Sequence, residues 1–155
     1  MTHITPFLWF DKNLKEITDF YMSVFPGSKI TSKGTLSDTP SGEVEVATME
    51  ILGQRIQMMT AGPLFHFTEA ISLVISCKDQ AEVDYYWEKL TSNGGTESQC
   101  GWLKDKYGLS WQVVPQDFER MMSTGTKEQM GRVTQAFLQM KKFDIATLEA
   151  AFNGN

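Results

Sequence analysis

The clearest strand-type pattern of apolar and polar positions lies at residues 100–115, which read CGWLKDKYGLSWQVVP. Two runs of β-favouring residues flank a polar turn at residues 105–108, and a proline closes the second run. Within that run Gln112 stands between Trp111 and Val113, so a strand places it on the opposite face from both. The pattern predicts a β-hairpin with one polar side chain set among apolar ones.

The same pattern occurs earlier in the chain, in the segment that begins at Gly53. The sequences GQRIQMM and GLSWQVV share a glycine, two spacers, a large apolar residue, a glutamine and two more apolar residues. Gln57 is therefore the counterpart of Gln112. Strand and helix patterns precede both segments in the same order, which predicts a tandem βαβββ repeat. Unit 1 spans about residues 3–60, unit 2 about residues 69–115, and residues 116–155 form a C-terminal helical tail within one domain.

Apolar residues at helical spacing predict five helices, four of which begin at an N-cap residue. Asn13, Asp79 and Thr126 are each followed three residues later by Glu or Gln, the signal of a capping box, and Asp144 caps the last helix. The predicted strands cover residues 4–10, 29–36, 43–51, 55–60, 69–77, 96–102 and 109–114, with a loop at residues 37–42.

Composition restricts the classes of function. The 155 residues carry a formal net charge of −5 and no basic stripe, which argues against a nucleic-acid partner. No apolar run reaches the roughly 20 residues of a membrane span, and no signal peptide precedes the first strand. The cysteines, Cys77 and Cys100, form neither a disulfide framework nor a zinc motif. We expect a cytoplasmic protein with reduced thiols and no membrane partner.

Three segments carry a resemblance to a known superfamily. They are ITPFLWFDKNLKEITDFYMSVFPGSKI at the start, DQAEVDYYWEKLTSNGG in the second unit, and the hairpin CGWLKDKYGLSWQVVP. The chain resembles the vicinal oxygen chelate superfamily of glyoxalases, bleomycin-resistance proteins and extradiol dioxygenases, and within it the 3-demethylubiquinone-9 3-methyltransferase-like branch. The resemblance implies an α+β fold in which each βαβββ unit forms a curled mixed sheet, a half-barrel. Two such units enclose a cavity, often at a homodimer interface.

Metal enzymes of this superfamily take one ligand from the first strand and one from the closing strand of each unit. The resemblance places these positions on Gln57, Gln112, Thr5 or Pro6, and Ile71 or Ser72. None is a carboxylate or an imidazole, the donors that a catalytic divalent cation requires. The first strand also lacks the glycine-rich turn that binds S-adenosylmethionine in doubly wound sheets. We therefore predict no metal and no cofactor.

The predicted ligand-binding residues are polar or aromatic side chains near these motif positions. They are Gln57, Gln112, Trp9, Ser72, Trp102, Met59 and Cys100. The alternative for the glutamines is that each only satisfies the backbone or the other glutamine. The alternative for Cys100 is an inert buried thiol, since no neighbouring histidine activates it as a nucleophile.

The sequence predicts a protein that binds a small, partly apolar or planar molecule without metal, and it identifies no catalytic residue. The alternatives are a metal-dependent enzyme of the glyoxalase or dioxygenase kind, and a methyltransferase as the family name suggests. A homodimer is expected because a half-barrel exposes sheet edges and an apolar concave face.

Overall fold

Two four-stranded mixed sheets with the same strand order organise the chain. The computed structural model describes residues Met1–Asn155, which divide into two units, Met1–Phe67 and Thr68–Asn155. In each sheet the first strand pairs in parallel with the last, and two further antiparallel strands complete the row without closing it. The predicted α+β fold with a tandem βαβββ repeat is confirmed.

The first unit follows the order strand, helix and three strands. Its elements are β1 (Phe7–Phe10), α1 (Leu14–Val24), β2 (Lys29–Thr39), β3 (Gly42–Ile51) and β4 (Gln54–Thr60), arranged as β1-β4-β3-β2. Leu14, Ile17, Tyr21 and Val24 recur at helical spacing and are buried, so one face of α1 covers the sheet. Burying each large apolar side chain contributes about 1.5–3 kcal/mol to folding.

The second unit repeats this order. Its elements are β5 (Ser72–Cys77), α2 (Gln80–Thr91), β6 (Thr96–Glu97), β7 (Trp102–Lys104) and β8 (Ser110–Pro115), arranged as β5-β8-β7-β6. The predicted apolar face of α2 is buried, with Val83 and Leu90 fully enclosed. The longest helix of the chain, α2, has 12 residues, and no helix meets the length and hydropathy of a membrane span.

The tail adds three helices to the second unit: α3 (Gln116–Thr124), α4 (Lys127–Phe137) and α5 (Ile145–Asn153). They enclose a small core that includes Met121, Val133 and Leu148, and they pack against Val114 at the end of β8. The tail therefore extends the core of the second unit.

Three of the four predicted caps are made by side chains. The Asp79 and Asp144 carboxylates accept hydrogen bonds from the backbone at Glu82 and Thr147, and Thr126 forms a full capping box. The prediction for Asn13 is wrong, since its side chain makes no cap bond. Its backbone is left-handed (φ 64°), whereas a capping side chain acts from an extended residue.

The predicted loop at residues 37–42 is also wrong, because β2 and β3 continue through most of it. A register shift after Leu36 places two residues of β2 opposite one residue of β3, and Asp38 takes a left-handed conformation (φ 57°). This bulge accommodates the polar residues within the strand. The connection itself shortens to Pro40–Ser41.

The strand predicted at residues 96–102 is two strands instead. Cys100 and Gly101 both have positive φ, and the backbone N–H of Trp102 donates to the carbonyl of Gln99 at 3.1 Å. This turn separates β6 from β7. The first strand of the unit is likewise shorter than the predicted residues 69–77, since it begins at Ser72.

Candidate functional site

One face of the second sheet gathers the polar side chains of its motif positions. Trp111 and Val113 are buried on the α2 side of β8, and the half-buried Gln112 between them points to the other face. In the sheet register Gln112 lies between Val74 of β5 and Trp102 of β7. The sequence-predicted residues Gln112 and Trp102 are therefore direct neighbours.

The side chain of Gln112 is held by the first strand of its unit. Its Nε2 donates a hydrogen bond to Oγ of Ser72 at 2.9 Å. Ser72 lies two residues before Val74, so both belong to the face that carries Gln112. Of the two candidates for the first-strand motif position, Ser72 therefore lies next to Gln112. Ile71 is outside the strand and 67% exposed.

A cavity of about 270 Å³ lies at the β6–β7 end of the second sheet, and Gln112 is not among its lining residues. Its lining residues are Glu69, Thr96, Glu97, Ser98, Trp102, Leu103, Lys104 and Ser110. The register aligns four residues across the sheet in the order Ser72, Ser110, Lys104 and Thr96. Hydroxyl groups and one ammonium group thus form a row next to the row of Gln112 and Trp102.

Charges at the cavity are paired within the second unit. Nζ of Lys104 lies 2.5 Å from Oε1 of Glu69, and its hydrogen bond lowers the pKa of that carboxyl group. Glu97 accepts a hydrogen bond from the indole N–H of Trp87 at 2.8 Å, which lowers its pKa, and lies 3.6 Å from Lys141. Both carboxylates are ionised at neutral pH.

The hydroxyl of Ser110 stands apart from these pairs. The residue is 1% exposed, and its Oγ has no hydrogen-bond partner. A buried hydroxyl without a partner is unusual, because its desolvation is not compensated. Ser110 lines the cavity, although water does not reach its Oγ atom in the free protein.

The hairpin that carries Trp102 and Ser110 is fixed by one buried carboxylate. Asp105 is 2% exposed; its Oδ1 accepts from the backbone N–H of Tyr107 at 2.9 Å and of Leu109 at 3.2 Å. Its Oδ2 accepts from the indole N–H of Trp111 at 2.9 Å. Asp105 thus ties the turn to the strand and does more than the predicted role of a turn residue.

The first unit carries the corresponding set on its own sheet. Gln57 of β4 lies between Phe7 of β1 and Thr48 of β3, and Met59 lies beside Trp9. The indole N–H of Trp9 donates to the carbonyl of Gly62 at 2.8 Å. Each closing-strand glutamine thus occupies the same place in its sheet, next to the parallel first strand.

Cys100 lies at the tail rather than in the cavity wall. Its backbone N–H donates to the carbonyl of Met140 at 2.8 Å, and the N–H of Gly101 donates to that of Lys141 at 2.7 Å. Sequence reasoning missed Glu69, Lys104 and Ser110. The position of Ser110, two residues before Gln112 in one strand, could have identified it.

The sequence profile of the 3-demethylubiquinone-9 3-methyltransferase family matches residues 2–114. The PhnB protein of Bacillus cereus, whose structure carries the same family name, is 30% identical, with a TM-score of 0.64 over 74% of this chain and 99% of that one. A Pseudomonas aeruginosa protein is 18% identical, with a TM-score of 0.61 over 74% and 98% of the two chains. No functionally curated protein matches the chain.

A more distant structure shares the fold alone. A glutamate-to-glutamine mutant of the fosfomycin resistance protein FosX of Listeria monocytogenes, in complex with Mn(II) and 1S,2S-dihydroxypropylphosphonic acid, is 19% identical, with a TM-score of 0.53 over 73% of this chain and 91% of that chain. Its fold is that of the vicinal oxygen chelate superfamily, as the resemblance implies. The tail helices, which begin at Gln116, lie outside the family match.

The motif positions do not fit a divalent metal. The closing strands offer Gln57 and Gln112, and the hydroxyl beside Gln112 is that of Ser72, so all of these donors are neutral. No group of three or more His, Cys, Asp and Glu side chains is arranged to hold a metal ion. A catalytic cation normally takes carboxylate, imidazole or thiolate ligands, which offset the loss of its water shell.

The chain also lacks the usual site for a nucleotide-type methyl donor. Such a site is formed by a glycine-rich turn between a parallel strand and a helix. The connection from β1 to α1 consists of Asp11, Lys12 and Asn13, without glycine. Its residues do not fit S-adenosylmethionine in that mode.

Proposed function

Since the chain belongs to the 3-demethylubiquinone-9 3-methyltransferase family, within the vicinal oxygen chelate superfamily, we propose that it binds a small molecule on the face of the second sheet that carries Gln112, Ser72 and Trp102. The binding requires no metal at this site. The family name gives a reaction, but the residues described above support recognition rather than methyl transfer.

The observation that carries the proposal is the cavity next to Gln112 and Ser72, whose wall contains Trp102 and the unpartnered hydroxyl of Ser110. Concave sites that combine an aromatic surface with a few convergent polar groups are typical of small-molecule binding. Trp102 provides the aromatic surface. Gln112 retains its carboxamide oxygen as an acceptor, since its bond to Ser72 uses only the Nε2 donor.

Cavity size limits the ligand. Pockets for drug-sized compounds have volumes of about 300–1,000 Å³, and this one has about 270 Å³. The ligand is therefore small, with a planar or partly apolar body suited to Trp102. We further propose that Gln57 and Met59, with Trp9 beside them, form a second ligand-facing set on the sheet of the first unit.

We propose a cytoplasmic homodimer as the working form of the protein. Strand β2 is an edge strand of 11 residues and is exposed over most of its length. Phe7 and Val74, which neighbour Gln57 and Gln112, are 53% and 54% exposed. Unpaired edges and exposed apolar residues on functional faces are features that a second copy of the chain covers.

Native mass spectrometry of the untagged protein tests the proposed binding. We expect a small molecule that stays with the folded chain and leaves on denaturation. Replacing Trp102 by Ala is expected to lose it, whereas the control Gln54→Leu, at an exposed position of β4, retains it. If the native chain and Trp102→Ala retain the small molecule equally, the molecule binds at a site other than the one that contains Trp102.

A further inference from the structure

The cavity of the second unit contains a cation and a hydroxyl on adjacent strands. Lys104 of β7 and Ser110 of β8 are directly opposite in the sheet register, and both line the cavity. An ammonium group and a hydroxyl group placed together can each donate to one oxygen of the same anion. Thr96 lies on the other side of Lys104 and adds a further hydroxyl to the wall.

Glu69 already occupies the position that an anion would take at Lys104. The two side chains lie 2.5 Å apart, yet they are 64% and 39% exposed, respectively. Ion pairs in contact with water contribute little to stability, so a ligand anion can replace Glu69 with little loss. Glu69 lies in a turn and does not belong to the sheet, whose first strand begins at Ser72.

The other carboxylate of the cavity is already engaged. Glu97 binds the indole N–H of Trp87 and faces Lys141, so its charge is balanced by groups outside the cavity wall. Lys104 is therefore the one cation that lines the cavity, and the hydroxyl of Ser110 is buried without a partner. These two groups define the polar end of the cavity.

Trp102 defines the other end. It precedes Lys104 by two residues in β7, so both side chains lie on the same face, about 7 Å apart along the strand. That separation suits a molecule with an anionic group at one end and a flat ring next to it. A larger body would exceed the cavity of about 270 Å³.

We propose that the ligand is a small aromatic or planar carboxylate, with its carboxylate held by Lys104 and Ser110 and its ring against Trp102. This inference rests on the proposed function and specifies its ligand class. Glu69 then acts as a placeholder that competes with the ligand for the ammonium group. This competition predicts the direction of one effect: removing the charge of Glu69 should strengthen ligand binding.

The test is a titration of the ¹⁵N-labelled full chain with benzoate, and with benzamide as the neutral analogue of the same shape. We expect benzoate to shift the Trp102 indole and Ser110 amide signals, and benzamide to bind roughly tenfold more weakly. Lys104→Met should weaken benzoate binding by a similar factor, and Ser110→Ala should weaken it to a lesser extent. Glu69→Gln should strengthen it a few fold.

The control is Lys106→Met, which removes a lysine of the same hairpin that does not line the cavity and should leave benzoate affinity unchanged. Equal binding of benzoate and benzamide at Trp102 would overturn the carboxylate class while leaving the binding site intact. Glu69→Gln without effect, or Lys104→Met with native affinity, would also overturn it. If neither compound shifts Trp102 or Ser110, the inference is wrong, and the native mass spectra then decide the proposed function separately.

Discussion

The side chains of Gln112 and Ser72 meet at 2.9 Å across the parallel strands β5 and β8. This contact joins the closing strand of the second unit to its first strand at the positions to which the superfamily resemblance assigns metal ligands. A neutral amide bound to a neutral hydroxyl occupies that position here. The pair therefore presents hydrogen-bonding groups rather than a charged ligand set.

Replacing Ser72 by Ala should alter the site without unfolding the chain. Gln112 is half-buried, so water can replace the lost partner, and we expect the free energy of unfolding to fall by less than about 1 kcal/mol. The Gln112 side-chain amide signals should shift. Ser76→Ala, which removes an exposed bond to Glu119, serves as the control and should not move them. Unchanged Gln112 signals in Ser72→Ala would contradict the contact.

Asp105→Asn should destabilise the hairpin strongly. The buried carboxylate accepts two backbone N–H groups and one indole N–H, and an amide nitrogen would face one of these donors. We expect a loss of about 2–3 kcal/mol in urea unfolding. Asp19→Asn removes only an exposed pair with Lys15 and should cost below about 1 kcal/mol. Equal losses of unfolding free energy in the two variants would show that the hydrogen bonds of Asp105 do not stabilise the hairpin.

The two thiols should differ in reactivity. Cys77 is fully buried, and this burial raises its pKa to about 12, whereas Cys100 is half-buried. At pH 8 we expect iodoacetamide to modify Cys100 in the folded chain and both thiols in the denatured chain. Rapid modification of Cys77 in the folded chain would show that its surroundings are more open than described.

The raised pKa of Cys77 also predicts a pH dependence of stability. A cysteine ionises at about pH 8.5 in an unfolded chain. Below that pH the thiol is protonated in both states, and above it only the unfolded chain loses the proton. The contribution of this group to the free energy of unfolding should therefore decrease by about 1.4 kcal/mol per pH unit from about pH 9. A Cys77→Ala variant should lack this part of the alkaline loss, and an identical pH profile would contradict the assignment.

Divalent metals should bind the natural chain weakly. With neutral donors at Gln112 and Ser72, calorimetric titration with Mn²⁺ is expected to show no tight site. A Gln112→Glu/Ser72→His variant, which places two ligating groups where these side chains touch, should gain measurable affinity. Elemental analysis that finds about one transition metal per natural chain would support the enzyme alternative.

The proposed homodimer can be measured directly by light scattering at micromolar concentration. Replacing two exposed apolar residues, Phe7→Ser and Val74→Ser, should shift the equilibrium toward monomer because both side chains lie on faces that a second chain would cover. Leu52→Ser, at an exposed turn position, is the control. A monomer in the natural protein would refute the dimer.

The order of strands and helices along both units was predictable because the glycine-to-glutamine pattern repeats. Gln57 and Gln112 were identified from this repeat, and both lie next to the first strand of their units. The buried face of α2 was also predictable, because apolar residues at helical spacing indicate a helix with one buried side. Where a strand or helix is buried on one side, the spacing of its apolar residues therefore predicted the element.

The polar wall of the cavity could not be derived in the same way. Strands β6 and β7 have only two and three residues, so alternation gives no register there. The position of Thr96 beside Lys104 depends on the turn at Cys100 and Gly101, whose positive φ values have no clear sequence signal at the cysteine. The prediction of Asn13 as a cap was wrong because the sequence does not specify its backbone conformation. Asparagine suits an N-cap, but it also tolerates the left-handed conformation that Asn13 adopts.

The central claim is that the face with Gln112, Ser72 and Trp102 binds a small molecule. A fragment-library screen by ¹⁵N-detected chemical-shift mapping on the full chain tests this claim most directly. The account predicts that the strongest fragments shift the Trp102 indole, the Gln112 side-chain amide and the Ser110 backbone amide together. Fragments that consistently shift residues elsewhere, with these three signals unmoved, would contradict it.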